Sequence, residues 1–196
     1  MLKDFLAKKP KKHLIFDLDN TLVKLHIDWT DFRKVFFELV GKLDPELLKI
    51  VPNKTKMGNI LYSKAVEKHG GKMRRKLLAH CEQWETSKYS GFTPNQELVD
   101  FVFKNREKYT FYIWTSNNRK TAELVMKDLP VADAFTKVVA KEDVQLLKPY
   151  PDGFKLIFDP RKARREEFLM IGDNSQDEGA AKNAGIDYYQ VEWDFY

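Results

Sequence analysis

The sequence predicts an α/β fold, in which helices cover both faces of a parallel sheet and a small all-helical segment is inserted after the first strand. Short apolar runs typical of buried strands alternate with helical spacing of apolar residues from residue 94 onward. This alternation favours a parallel sheet, because a crossover between parallel strands usually contains a helix. Residues 25–90 carry helical spacing and little strand signal. We therefore expect an α/β core, residues 1–24 and 91–196, and a helical insert, residues 25–90.

The individual elements follow from local patterns. The first strand is the apolar run His13–Phe16. Later predicted strands are rich in β-branched and aromatic residues and span residues 109–114, 135–139, 167–171 and 188–191. Predicted helices between them span residues 94–105, 119–128, 151–158 and 176–183. Within the insert we expect helices at residues 29–39, 45–51, 57–68 and 72–84, a break at Gly70-Gly71, and a linker at residues 90–94.

Composition is that of a globular protein. The chain has 196 residues, of which 43% are hydrophobic and 32% are charged, and this suits one domain or one domain with an insert. No run of about 18 apolar residues occurs, so we expect no membrane span. Cys81 is the only cysteine, which excludes a disulfide within one chain and fits a reducing compartment. We therefore expect a cytoplasmic protein.

Charge is distributed unevenly along the chain. The net charge is +5, and residues 1–13 hold five lysines and one aspartate. Residues 22–91 hold 14 basic and 8 acidic residues, whereas the remainder holds 15 basic and 20 acidic residues. An acidic body suits a bound cation and a basic insert suits an anionic ligand, although a solvated basic surface is equally typical. We expect the first 12 residues to form a short solvated helix or tail.

Polar side chains follow four of the predicted strands, at the edge where ligands bind in open parallel sheets. Asp17 and Asp19 come after the first strand, and Lys148 lies in the loop after the third. Each residue has a structural alternative, since Asp and Asn favour turns and Ser and Thr cap helices. Their occurrence after four strands in order favours a shared site. The candidate site residues are Asp17, Asp19, Thr21, Thr115, Ser116, Asn117, Lys148, Gly172, Asp173 and Asp177.

These residue types suit phosphoryl chemistry beside a metal ion. Asp17, Asp173 and Asp177 offer hard carboxylate oxygens of the kind that Mg²⁺ prefers. Hydroxyl groups, backbone N–H groups and the Lys148 ammonium are donors suited to a phosphoryl group. Asp17 is free to attack phosphorus, and Asp19 is placed to protonate the leaving oxygen and then activate water. The sequence therefore predicts a Mg²⁺-dependent phosphatase.

Four motifs resemble those of the haloacid dehalogenase (HAD) superfamily, whose core is Rossmann-like. They are DLDNT at residues 17–21, IWTSN at 113–117, KPYPD at 148–152 and GDNSQD at 172–177. The helical insert falls where the family's type-1 cap is placed. Residues 21–34 look like the start of the cap in phosphoglycolate-phosphatase-like members. The resemblance therefore implies a small phosphorylated substrate, such as phosphoglycolate, a sugar phosphate or a nucleotide-like compound.

The resemblance also implies a role for the acidic motif residues. Asp17 would be the nucleophile that forms an aspartyl-phosphate, and Asp19 would be the acid/base. Mg²⁺ would be held by the carboxylates of Asp17 and Asp173 and by the backbone carbonyl of Asp19. Thr21 and Gly172 would support this arrangement. The family's dehalogenases lack the second acid of the first motif, so Asp19 favours phosphoryl chemistry.

The remaining motif residues would surround the phosphoryl group. Thr115 and Lys148 would bind it, with Ser116 and Asn117 in the same loop as Thr115. Asp177 would hold Lys148 or support the metal through water.

Two other functions remain open from the sequence. A phosphomutase of the same superfamily would use the same core but return the phosphoryl group to a sugar. His26 and the lysine-rich third and fourth helices of the insert are candidates for the group that favours sugar over water. A nucleic-acid-binding module or nucleic-acid end phosphatase would explain the basic N-terminal segment and insert. Against this third function, aromatic and basic residues are not interleaved as in a base-stacking surface, and a cap would crowd a duplex.

Overall fold

The computed structural model describes residues 1–50 and 58–193. The strands are β1 His13–Phe16, β2 Val23–Leu25, β3 Phe92–Pro94, β4 Thr110–Trp114, β5 Phe135–Val139, β6 Phe168–Gly172 and β7 Asp187–Gln190. The helices are α1 Leu2–Lys8, α2 Trp29–Leu43, α3 Leu47–Ile50, α4 Gly58–Lys88, α5 Gln96–Lys104, α6 Arg119–Asp128, α7 Asp152–Ile157 and α8 Ser175–Ala184. Among the described residues, no helix combines the length and apolar character needed to cross a lipid bilayer.

The strand β1 lies at the centre of a five-stranded parallel sheet with the order β5-β4-β1-β6-β7. It pairs with β4 and β6, so that His13 stands beside Thr110 on one side and Phe168 on the other. The last three residues of β1 are completely buried, because helices cover both faces of a central parallel strand. The prediction of a parallel α/β sheet is confirmed.

Two apolar clusters lie on opposite faces of this sheet. Leu14 and Phe16 belong to one cluster, together with apolar residues of α1, α5 and α6. Ile15 belongs to the other cluster, as the two-residue period of a strand requires. That second cluster also contains Trp114 of β4 and apolar residues of α2 and α4. The insert and the sheet therefore share one apolar core.

The insert consists mainly of α2, α3 and α4. The 31-residue helix α4 leaves the helical conformation at Gly70, where φ is 67° and ψ is −155°, at the predicted break. Glycine adopts a positive φ without the steric cost that other residues incur. Val51 and Met57, where two predicted helices end and begin, lie outside the described residues.

A short antiparallel ribbon, which no sequence pattern predicts, joins the insert to the α/β core. The strands β2 and β3 pair so that Val23 stands opposite Pro94 and Leu25 stands opposite Phe92. The prediction of a linker at residues 90–94 is therefore wrong for Phe92–Pro94. Strands of three residues are too short to show an alternating pattern, and proline is rare inside strands. The ribbon places the two chain segments that connect the insert to the core side by side.

The N-terminal segment forms a short helix, as predicted, but one face of this helix packs against the α/β core instead of being solvated. Leu2 and Leu6 lie on one face of α1 and are 3% and 6% exposed, as their four-residue spacing allows. The ammonium groups of Lys9 and Lys11 lie 3.3 and 2.6 Å from the Asp187 carboxylate. Part of the basic charge of this segment is thus paired within the fold, which weakens the argument for nucleic-acid binding.

Candidate active site

The ends of the central strands and the loop after β5 bring a buried lysine between two acids. Lys148 Nζ lies 2.6 Å from Asp17 Oδ1 and 2.5 Å from Asp177 Oδ1. It also donates to the backbone carbonyl of Trp114 at 3.1 Å. Burial by itself would lower the pKa of Lys148, but the carboxylates of Asp17 and Asp177 raise it above its ordinary value. The lysine is therefore charged and held in one position.

Three carboxylates converge beside this lysine. Oxygen atoms of Asp17, Asp173 and Asp177 all lie within 4.8 Å of one another. Burial and then the Asp177 charge raise the pKa of Asp173, which shows that negative charge is crowded here. Three acids beside one ammonium suit a bound divalent cation, and a set of carboxylate oxygens fits Mg²⁺. Thr21 Oγ1 lies 3.5 Å from Asp173 Oδ1, at the outer limit for a hydrogen bond.

Asp19 lies in the turn after β1, and a backbone N–H group, not Lys148, holds its carboxyl. The next residue, Asn20, has a φ of 61°, a left-handed conformation that asparagine tolerates better than most residues. The backbone N–H of Leu25 donates to Asp19 Oδ1 at 2.9 Å. Burial raises the pKa of Asp19 to about 7. A carboxyl with this pKa can hold or release a proton near neutral pH, as an acid/base group must.

The loop after β4 is organised by its own side chains. Thr115 Oγ1 donates to Asn117 Oδ1 at 2.7 Å and accepts from the Asn117 backbone N–H at 3.0 Å. Asn118 caps α6, because its side chain accepts from a backbone N–H in the first turn of that helix at 2.8 Å. Helix capping therefore does not account for Thr115 and Ser116, and both stand in the loop that borders the carboxylates.

Gly172 permits a close approach by Asp177. A Cβ atom at Gly172 would lie 2.5 Å from the Asp177 side chain, far inside van der Waals contact. Close packing, rather than a positive φ, therefore explains glycine at this position. The Asp177 carboxylate also accepts from the Asn174 backbone N–H at 3.4 Å, in a capping box at the start of α8.

Residues of the insert also border the site, although no motif in the sequence indicates them. A cleft of about 730 Å³ lies over the carboxylates. At its edge, Asn59 Nδ2 donates to Ser116 Oγ at 2.8 Å and to Gln176 Oε1 at 2.5 Å. Helical spacing predicts which face of a helix is buried, but it does not predict which residues will face a cleft. The insert residues that line this cleft are Trp29, Phe32, Arg33, Gly58, Asn59 and Glu85.

A buried ion pair connects the insert to two loops of the core. Lys141 Nζ lies 2.6 Å from Glu85 Oε1, and the Asn118 backbone N–H donates to Glu85 Oε2 at 2.8 Å. The side chains of Lys141 and Glu85 are 5% and 0% exposed. The predicted helix ended at residue 84, so no local pattern marked this glutamate. In contrast, His26 contacts Thr93 Oγ1 in the ribbon at 2.9 Å, away from the cleft lining.

Comparison with known proteins finds relatives that match only part of this chain. Pyrophosphatase PpaX from Bacillus cereus (strain ATCC 10987 / NRS 248) is 33% identical over 119 residues, which is 60% of this chain and 55% of that protein. PpaX from Bacillus mycoides (strain KBAB4) is 33% identical over 88 residues, or 45% of this chain and 41% of that protein. The chain thus matches about half the length of these curated relatives.

Solved structures share the fold over most of the chain. A haloacid dehalogenase-like hydrolase from Bacteroides fragilis superposes with a TM-score of 0.62 and 20% identity, covering 91% of this chain and 86% of that one. A HAD family enzyme from Bacteroides thetaiotaomicron, in complex with magnesium and inorganic phosphate, superposes with a TM-score of 0.56 and 21% identity, covering 94% of this chain and 97% of that one. The family model described as haloacid dehalogenase-like hydrolase matches residues 14–191. This chain belongs to the haloacid dehalogenase-like hydrolase family.

Proposed function

We propose that the protein is a Mg²⁺-dependent phosphatase that hydrolyses a small phosphorylated metabolite through an aspartyl-phosphate. The observation that carries this proposal is the meeting of Asp17, Asp173, Asp177 and Lys148 at one edge of the sheet, with carboxylate oxygens within 4.8 Å of one another. Membership of the family supports the same reaction class.

The reaction begins with attack on phosphorus by the Asp17 carboxylate. Lys148 orients this carboxylate through the 2.6 Å contact to Oδ1, and its ammonium stabilises negative charge on the phosphoryl oxygens. Asp19 donates a proton to the leaving oxygen as the ester bond breaks. Asp19 then accepts a proton from water, the water oxygen attacks phosphorus, and inorganic phosphate leaves while the Asp17 carboxylate is regenerated.

In the loop after β4, Ser116 and Asn117 line the cleft and would receive the phosphoryl oxygens, whereas Thr115 is 1% exposed, does not line the cleft and holds Asn117 in place. The internal hydrogen bonds between Thr115 and Asn117 hold this loop before substrate arrives, which reduces the cost of ordering it on binding. Mg²⁺ held by the carboxylates of Asp17 and Asp173 and the Asp19 backbone carbonyl would supply electrostatic stabilisation of the transferred group. Asp177 fixes Lys148 through the 2.5 Å contact.

The insert serves in this proposal as a cap over the core. Residues 25–90 would form the cap, and residues 1–24 and 91–196 the core. Both parts contribute side chains to the cleft lining, and enclosing a substrate there would limit the access of bulk water.

The test is hydrolysis of p-nitrophenyl phosphate with added Mg²⁺ by the parent protein, by Asp17→Asn and by a control, Asp133→Asn. Asp133 is an exposed acid remote from the site, with 73% of its side chain accessible. We expect Asp17→Asn to lose activity while its circular dichroism spectrum is retained, and Asp133→Asn to behave like the parent. Activity of Asp17→Asn within about tenfold of the parent would contradict the nucleophile assignment.

Release of inorganic phosphate from a hexose 1-phosphate, rather than conversion to the 6-phosphate, separates a phosphatase from a mutase.

A further inference from the structure

One face of α2 forms part of the cleft lining. Trp29, Phe32 and Arg33 all line the cleft, and their spacing of three and four residues places them on one side of the helix. This face brings an aromatic surface and a positive charge to the same cleft as the carboxylates. The phosphoryl chemistry described above uses none of these three side chains.

The aromatic part of this face is held by rings behind it. The Trp29 and Phe32 rings meet edge to face, with centroids 5.6 Å apart. Phe32 also packs against Phe36, at 5.6 Å, and Trp84, at 6.0 Å. Interlocked aromatic rings of this kind lose little conformational freedom when a ligand binds, so they provide a preformed contact surface.

The aromatic face lies next to the acid/base group. The indole Nε1 of Trp29 lies beside the Asp19 carboxyl without making a hydrogen bond of normal geometry, and this buried N–H has no partner among the described residues. Asp19 protonates the leaving oxygen in the proposed reaction. The leaving group must therefore lie between the phosphoryl site and the face of α2.

The three cationic side chains of the cleft differ in their partners. Lys148 contacts Asp17 and Asp177, and Lys141 contacts Glu85. Arg33 is exposed and makes no hydrogen bond or ion pair within the described part of the chain. Of these cations, Arg33 alone has its charge available to a ligand without first breaking an ion pair.

We propose that Trp29, Phe32 and Arg33 form a leaving-group subsite, which selects phosphate esters whose leaving group carries an anionic group of its own. Trp29 and Phe32 contact the apolar or planar part of the leaving group, and Arg33 pairs with its carboxylate or second phosphoryl group. Both anions offer two coplanar or forked oxygens that match the guanidinium. This inference rests on the proposed phosphatase function and specifies its substrate class.

The experiment compares three esters that share one aromatic ring. Phenyl phosphate has an uncharged leaving group, 4-carboxyphenyl phosphate tests a carboxylate, and 4-phosphonophenyl phosphate tests a second phosphoryl-type group. kcat/KM is measured for the parent, for Arg33→Met and for the control Lys34→Met. Lys34 is the next residue on α2 and is exposed, but it does not line the cleft.

We expect the parent to prefer at least one charged ester over phenyl phosphate. Arg33→Met should lower that preference about tenfold or more, since charge-assisted pairs are the stronger class of hydrogen bond. Lys34→Met should change it by less than about twofold, because Lys34 does not line the cleft and its charge is screened from a ligand there. The charged ester whose kcat/KM relative to phenyl phosphate falls more in Arg33→Met identifies the anion that pairs with Arg33.

Three results would overturn the subsite while leaving the phosphatase function intact. They are a parent that hydrolyses all three esters without preference, an unchanged preference in Arg33→Met, and an equal fall in both variants, which would indicate a general effect of net charge. Failure of the parent to hydrolyse any ester would instead refute the proposed function itself.

Discussion

Breaking the buried ion pair between Glu85 and Lys141 should be one of the most destabilising single changes in the insert. The variant Glu85→Gln keeps the size of the side chain and an oxygen that can accept from the Asn118 backbone N–H. It removes the charge that Lys141 Nζ contacts at 2.6 Å. The side chains of Lys141 and Glu85 are only 5% and 0% exposed, so water replaces the lost partner poorly even though both residues border the cleft.

The expected magnitude follows from this burial. Removing one partner of a buried ion pair costs about 3–5 kcal/mol, and retention of the Asn118 hydrogen bond favours the lower figure, about 3 kcal/mol. For a chain of this size, each kcal/mol shifts the melting temperature by about 2–4 °C, so the fall should be about 6–12 °C. Removing the second charge as well, in Glu85→Gln/Lys141→Met, should recover most of the loss, since the stranded ammonium is gone.

The assay is urea and thermal unfolding followed by circular dichroism, with Glu82→Gln as the matched control. Glu82 lies on the same helix and pairs with Lys120 of α6, but both side chains are exposed, at 38% and 61%. Exposed pairs contribute little, so this variant should melt close to the parent. The reasoning fails if Glu85→Gln is no less stable than Glu82→Gln, or if the double variant is less stable than Glu85→Gln.

Two further predictions concern packing and pH. Gly172→Ala should lower stability by about 1–3 kcal/mol, because its Cβ would lie 2.5 Å from the Asp177 side chain. The control Gly71→Ala, whose Cβ would lie 3.7 Å from its nearest neighbour, should be neutral or stabilising in the same melting experiment. Equal effects of the two substitutions would contradict this account. A hydrogen bond from Lys68, and to a smaller extent one from a neighbouring histidine, lowers the pKa of Asp44 to about 2. The ionised Asp44 therefore stabilises the fold at pH values above its unfolded pKa of 3.8. This stabilisation is lost as the pH falls toward 2. The stability difference between the parent and Asp44→Asn, measured by urea unfolding, should therefore shrink between about pH 4 and pH 2, and a difference independent of pH would contradict the assignment.

The core of the candidate site could be predicted from sequence because its residues lie directly after apolar strands. Asp17 and Asp173 each follow a buried run, and parallel strands place such ends at one edge. Lys148 comes from a loop, yet the short segment between β5 and α7 limits how far it can lie from that edge. Local patterns were sufficient for these residues because the fold class alone determines where strand ends meet.

Contacts made by the insert could not be predicted in the same way. Asn59 bonds to Ser116 and Gln176, which are 57 and 117 residues away, and Glu85 pairs with Lys141 across 56 residues. Helical spacing defines an apolar face, but the angle at which helices cross the sheet decides which polar residues reach a cleft. The ribbon of β2 and β3 was missed for a different reason, because three residues carry too little pattern.

The apolar core that the insert shares with the sheet has a consequence for cooperative unfolding. Ile15 of β1 and Trp114 of β4 lie in one apolar cluster with Phe36 and Leu77 of the insert, while α7 and α8 pack directly on the strands of that face. Melting of the insert would therefore expose part of this cluster and leave α7 and α8 over the sheet. Opening of the insert would then cost free energy in the core as well as in the insert. Amide hydrogen exchange in α4 should therefore be slower than an independently opening helix would allow, and a shortened chain without the insert should expose apolar surface and aggregate more readily than the full chain.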